Sequence, residues 1–127
     1  MPAKRVQSRS PRMGRQHGKP CFWCKKPMRV ESAKWRPTRD HVIPKSQGGT
    51  ILRICCHCCN HLKGDMPPAL WLVVLEIAPD IHDRFDTPGP RGMSLFYTIF
   101  GRDFEPHIDR IVKEAQARFP EYGEVKL

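Results

Sequence analysis

Hydrophobic and polar positions divide the chain into three stretches of different character. Residues 1–20 hold almost no large apolar side chain. Such a segment buries too little surface to offset the entropy of ordering it, so it reads as a disordered arm. In the middle, Val42-Ile43 and Ile51–Ile54 are short β-prone runs separated by Pro44 and Gly48-Gly49, the pattern of a hairpin. Leu52, Ile54 and Cys56 alternate, which predicts one inward face on the returning strand. Asn60–Lys63 then begins a short helix that Gly64 stops.

The remainder is predicted to be mostly helical. Ala69–Ala78 is apolar almost all round, as in a buried helix, and Pro79 ends it. Asp65 stands before Pro67-Pro68 as the expected cap, since prolines are tolerated in a first turn. Ile108, Ile111, Val112, Ala115 and Phe119 fall on one face of a last helix stopped by Pro120. Met93–Phe100 is a short apolar run that periodicity leaves open between strand and helix. With 127 residues, 39% of them hydrophobic, the expectation is an α+β chain: a basic disordered arm (1–20), a small core (21–65) and a helical C-terminal extension (66–127).

Charge adds a partner to this outline. The chain carries 22 Lys and Arg against 13 acids, a net +9, and the excess is not spread evenly. Residues 1–65 hold fifteen bases and three acids; residues 66–127 hold seven bases and ten acids. A basic half beside a mildly acidic one suits a chain that meets a polyanion on one side, and nucleic acid is the expected partner. Lys25, Lys26, Arg36, Arg39, Lys45 and Arg53 read as phosphate contacts, which carry affinity rather than sequence choice. The apolar, acidic-leaning C-terminal half is a candidate surface for a protein partner. Trp23 and Trp35 read as core before base-stacking residues, His57 and His61 as neighbours of the site, and His17, His82 and His107 as surface residues.

No apolar run approaches the roughly 20 residues that span a bilayer, so no membrane partner is expected. The first nineteen residues have charge but no apolar signal core, which points to the cytoplasm. Six cysteines in that setting argue for metal or free thiols rather than disulfides. Cys21-Phe-Trp-Cys24 is one C-x2-C knuckle, and Cys55-Cys56-His57-Cys58-Cys59 offers a second in two registers, Cys55/Cys58 or Cys56/Cys59. The second register is favoured because Cys56 shares the Leu52/Ile54 face. Cys21, Cys24, Cys56 and Cys59 would then close a tetrahedron around Zn²⁺ with no open position, a structural site.

Between the knuckles runs Thr38-Arg39-Asp40-His41-Val42-Ile43-Pro44-Lys45-Ser46-Gln47-Gly48-Gly49, and Asn60-His61-Leu62-Lys63-Gly64 follows the second. This combination, over residues 21–65, resembles the HNH endonucleases, whose ββα-metal fold is often framed by two such knuckles. The resemblance implies His41 as general base, Asp40 and Asn60 as ligands of a catalytic Mg²⁺ or Mn²⁺, and Lys63 facing the same phosphate one turn beyond Asn60. It implies a metal-dependent DNA endonuclease of the kind frequent in bacteria, phages and prophages. Where the family carries its middle asparagine, this chain has Ile51. That departure favours the alternative of a non-catalytic, zinc-stapled DNA-binding module with a relic site.

Overall fold

Extended backbone at Pro37–His41 (β1) pairs antiparallel with Leu52–Cys56 (β2) in a computed structural model that describes residues 13–42, 51–85, 89–101, 105–123 and 125. The register sets Arg39 opposite Ile54, Asp40 opposite Arg53 and His41 opposite Leu52. β1 therefore begins earlier than the Val42-Ile43 run suggested, and the loop of Pro44, Lys45 and Gly48-Gly49 lies outside the described residues.

Helix α1 (His57–Lys63) follows β2 without a connecting residue. It starts three residues before Asn60 because the Cys56 side chain accepts the backbone N–H of Cys59 and caps the first turn. Gly64 ends it at a φ of 46°, with its N–H on the Asn60 carbonyl. α1 packs on both strands. Strand alternation places Thr38 and Asp40 on the same side of β1, and both bond to α1 residues, so this is the covered face. The face of Leu52 and Ile54 is the opposite one. Leu52 is 45% exposed and Ile54 only half-buried, contrary to the inward face expected from alternation. A two-stranded ribbon has a single helix to cover it, and α1 takes the other side.

The C-terminal half is helical, as its pattern predicted: α2 (Pro68–Ile77), α3 (Ile81–Arg84), α4 (Gly92–Phe100), α5 (Glu105–Arg118) and a 3₁₀ turn (Pro120–Tyr122). The undecided Met93–Phe100 run is thus helical. α5 lies along α2 through Ile108, Ile111 and Ala115, all buried, and Arg118 clasps the Glu76 carboxylate at the rim. These helices share one continuous cluster of buried residues with the knuckles, from Cys21 and Trp23 through Leu62 to Trp71, Phe96 and Ile111. Part of the stretch assigned by composition to a disordered arm is tied down by its backbone while staying outside this cluster: Gly18 N–H bonds Met28 O at 2.7 Å, Met28 N–H bonds Lys19 O, and Pro20 bridges Pro27.

The two halves meet where backbone touches backbone. A side chain on Gly64 would come within 3.1 Å of the Gly92 nitrogen. Gly92, at φ +59°, leaves room for Asp65, whose Oδ1 would lie 1.9 Å from a Cβ there. Asp65 does not cap α2, whose first turn has no side-chain cap; its carboxylate accepts the Met93 N–H at 3.0 Å and caps α4 instead. Pro67, which has no capping side chain, stands at the N-cap of α2 with Pro68 opening the first turn, and the Asp65 carboxylate serves the later helix. Among the described residues, no helix is long and apolar enough to cross a membrane.

Candidate metal centre and adjoining polar cluster

The first knuckle is a tight loop held by Cys21 N–H on Lys26 O (2.8 Å) and Lys25 N–H on Cys21 O (3.0 Å), with Lys25 at φ 66°. Its turn aims the N–H groups of Trp23 and Cys24 at the Cys21 sulfur, at 3.3 and 3.5 Å. The second knuckle repeats the arrangement, with Cys59 N–H on the Cys56 sulfur at 3.3 Å. Phe22 N–H on Ile54 O joins the knuckles at the end of β2, and this contact buries Cys56 although it shares a face with exposed Leu52.

The sulfurs of Cys21, Cys24, Cys56 and Cys59 lie within 4.8 Å of one another. Zn–S bonds of about 2.3 Å in a tetrahedron put sulfurs roughly 3.8 Å apart, so the four can hold an ion such as Zn²⁺ with a small contraction. The donor chemistry fits too. Hydrogen bonds from Cys21, then Cys56 and Cys59, hold the Cys24 thiol far below the usual range, while burial pushes Cys59 well up. A bound dication lets all four sulfurs carry negative charge as thiolates. The Cys55/Cys58 register is not assembled. Cys55 faces Thr38, its sulfur 3.7 Å from the hydroxyl, and burial raises its thiol to about 12.

Beside the knuckles, three residues form a polar cluster around one oxygen. Asp40 Oδ2 accepts the Trp23 indole N–H at 3.0 Å and pairs with the Lys63 ammonium at 3.3 Å. Lys63 is 2% exposed, with its ammonium 5.5 Å from the centre of the Trp23 ring. A lysine expected to face phosphate from the helix surface thus points inward: an alternative carboxylate and an aromatic face lie on the sheet side of α1, and the buried charge follows them. Trp23 belongs to the core, as expected. His82 does not belong to the surface: it is 1% exposed and lies against Cys59. No local spacing signals that contact.

Asn60 holds α1 to β1. Its Nδ2 donates to Thr38 Oγ1 and to the Arg39 carbonyl, both at 3.1 Å, so the amide is fastened to the residue before Asp40. Neither the Asn60 Oδ1 nor the Asp40 Oδ1 is used by these bonds. One carboxylate and one amide oxygen suit a hydrated divalent cation of the Mg²⁺ class, which takes few protein ligands. The Lys63 charge on the other carboxylate oxygen weakens that attraction. His41 follows Asp40 on the strand, so its side chain leaves from the other face, where Arg39 is exposed and His41 half-buried.

Of the expected phosphate contacts, Lys25, Arg36, Arg39 and Arg53 are exposed and Lys26 is half-buried; Lys45 lies outside the described residues. Lys25 and Arg53 both sit over the Phe22 ring, at 5.1 and 5.7 Å, and Lys26 lies 5.4 Å from the Trp35 ring. Arg36 reaches His57 Nδ1 at 3.2 Å, and the His57 and His61 rings stack 6.1 Å apart. The chain matches no family model, no curated protein and no solved structure.

Proposed function

We propose that the chain is a metal-dependent DNA endonuclease of the HNH type, its Cys21/Cys24/Cys56/Cys59 site a zinc staple and its chemistry centred on His41. The observation that carries this reading is the Asn60 amide bonded to the Thr38 hydroxyl and the Arg39 carbonyl. It ties a strand–strand–helix unit together at the residues just before Asp40 and His41, beside a four-sulfur cluster able to staple that unit.

In this reading Asp40 and Asn60 would hold the divalent ion, which would supply positive charge to the phosphate and the departing 3′-oxygen. His41 accepts the proton of the attacking water, a task suited to an imidazole near neutrality. Asn60 keeps β1 from shifting under the base, and the Lys63–Trp23 pair holds the Asp40 carboxylate against rotation. Arg39, on the same face as His41, and Arg36, Lys25 and Arg53 nearby in the basic half engage the DNA backbone.

The test is supercoiled plasmid incubated with zinc-loaded protein and Mg²⁺ or Mn²⁺. Wild type converts it to nicked or linear product; His41→Ala slows this by about 10²–10⁴-fold while binding DNA with the same salt dependence. Intact plasmid with wild type and either ion overturns the proposal. That outcome, with DNA binding retained, selects the second reading, a non-catalytic zinc-stapled DNA-binding module. One observation favours that reading: Asp40 Oδ2 already carries Lys63 and Trp23 as partners.

A further inference from the structure

His82, on α3, reaches the cysteine cluster from the C-terminal half. Its Nε2 lies 3.0 Å from the Cys59 sulfur. The ring is stacked on Trp35 at 5.3 Å and 25°, and meets Trp71 edge-on at 6.5 Å. Lys34 Nζ donates to its backbone carbonyl. The other ring nitrogen, Nδ1, is buried with no hydrogen-bond partner among the described residues.

Two independent arguments place the ring proton. A metal-bound thiolate only accepts hydrogen bonds, so the nitrogen facing Cys59 must carry the hydrogen. A proton on Nδ1 would instead be a buried donor with nothing to receive it, while Nε2 would turn a lone pair toward a negative sulfur. The neutral Nε2–H tautomer avoids both costs. Trp35 stacked on one face and Trp71 meeting the ring edge-on leave it little freedom to turn away.

We propose that His82 is an outer-sphere positioning residue of the cysteine metal site, donating Nε2–H to the Cys59 thiolate and coupling the C-terminal helices to the metal. This rests on the zinc reading of the four cysteines. The bond draws negative charge from a tetrathiolate that carries a formal excess of two over Zn²⁺, and it holds the Cys59 sulfur where the other three converge. Backbone N–H groups do the same for Cys21 and Cys56. For Cys59 the donor comes from a side chain 23 residues away, so residues that look like an appendage in the sequence complete the site.

Full-length protein, wild type, His82→Phe and His82→Gln, is loaded with Zn²⁺ and mixed with a chromophoric chelator. His82→Phe keeps an aromatic stack without a donor and is expected to release zinc about 10–100-fold faster; His82→Gln, with an amide donor, stays closer to wild type. In the Co²⁺-loaded proteins the thiolate-to-metal absorption bands shift in His82→Phe, which a purely packing role would not cause. Nitrogen NMR of wild type reads the tautomer directly, independent of whether a variant folds, with Nε2 protonated. Equal release rates with unchanged cobalt bands, or an Nδ1–H tautomer, overturn the inference while leaving the zinc site standing. Wild type that takes up neither Zn²⁺ nor Co²⁺ overturns the zinc reading and this inference with it.

Discussion

Replacing Asp40 with alanine strands the Lys63 ammonium. The lysine is 2% exposed and its ion partner is Asp40, at 3.3 Å, with the carboxylate itself 14% exposed. Breaking a buried pair from one side costs about 3–5 kcal/mol, because the remaining charge stays in a poor solvent. The Trp23 indole loses its acceptor as well, for roughly 1 kcal/mol. Against a stability of about 5–15 kcal/mol this is a large share, so Asp40→Ala is expected to be severely destabilised before any question of metal arises. Removing both charges is different. Asp40→Asn with Lys63→Met keeps the volumes, leaves an amide for Trp23 and strands nothing. The assay is urea unfolding of the zinc-loaded chain for wild type, Asp40→Ala, Asp40→Asn, Lys63→Met and the Asp40→Asn/Lys63→Met double variant. A coupling of about 2–3 kcal/mol is expected, with the double variant more stable than either single. Additive effects, or an Asp40→Ala cost below about 1 kcal/mol, would refute the buried ion pair and return Lys63 to solvent. The same logic explains why His41, rather than Asp40, is the residue on which to test catalysis.

Other expectations follow from the same contacts. Gly92→Ala, forced into φ +59° with its Cβ on Asp65, is expected to lose at least about 1–2 kcal/mol in urea unfolding; an unchanged midpoint would show that α4 docks differently. Cys55, buried and raised to about 12, stays unalkylated by iodoacetamide at pH 8 in the zinc-loaded protein and reacts once a chelator opens the fold, as mass spectrometry would show. The Arg118 clasp lowers the Glu76 carboxyl from its usual 4.5, so the contribution of the pair is complete above that value and fades as pH falls through the lowered one. Glu76→Gln therefore lowers the melting temperature slightly at pH 7 and less at pH 3; both side chains are about half exposed, so the difference is small.

Much of the local structure was legible in the residues themselves. The 108/111/115 face of α5, the stops at Gly64 and Pro120, and the two C-x2-C turns all depend on spacing along a few neighbouring residues. A helix presents every third or fourth side chain together whatever lies around it, and a two-residue turn aims two sulfurs at one point. The favoured pairing of Cys56 with Cys59 is the one assembled, but the face used to choose it turned outward at Leu52. Alternation reports that a strand has two sides. Which side α1 covers depends on where the helix finds partners, here Thr38 and Asp40.

The rest was settled by packing over distance. Lys63 is inside because Asp40 and Trp23 wait there, Asp65 caps α4 because the glycines at 64 and 92 let two backbones meet, and His82 reaches Cys59 because α2 and the knuckles share one core. None of these contacts has a spacing to announce it, since each joins residues whose separation along the chain is set by intervening elements. The sequence by itself determined the elements, the charge asymmetry and the ligand-bearing turns, all properties of short segments. Only the tertiary structure decided which polar groups are paired in the interior, because that depends on which surfaces close against one another and exclude water.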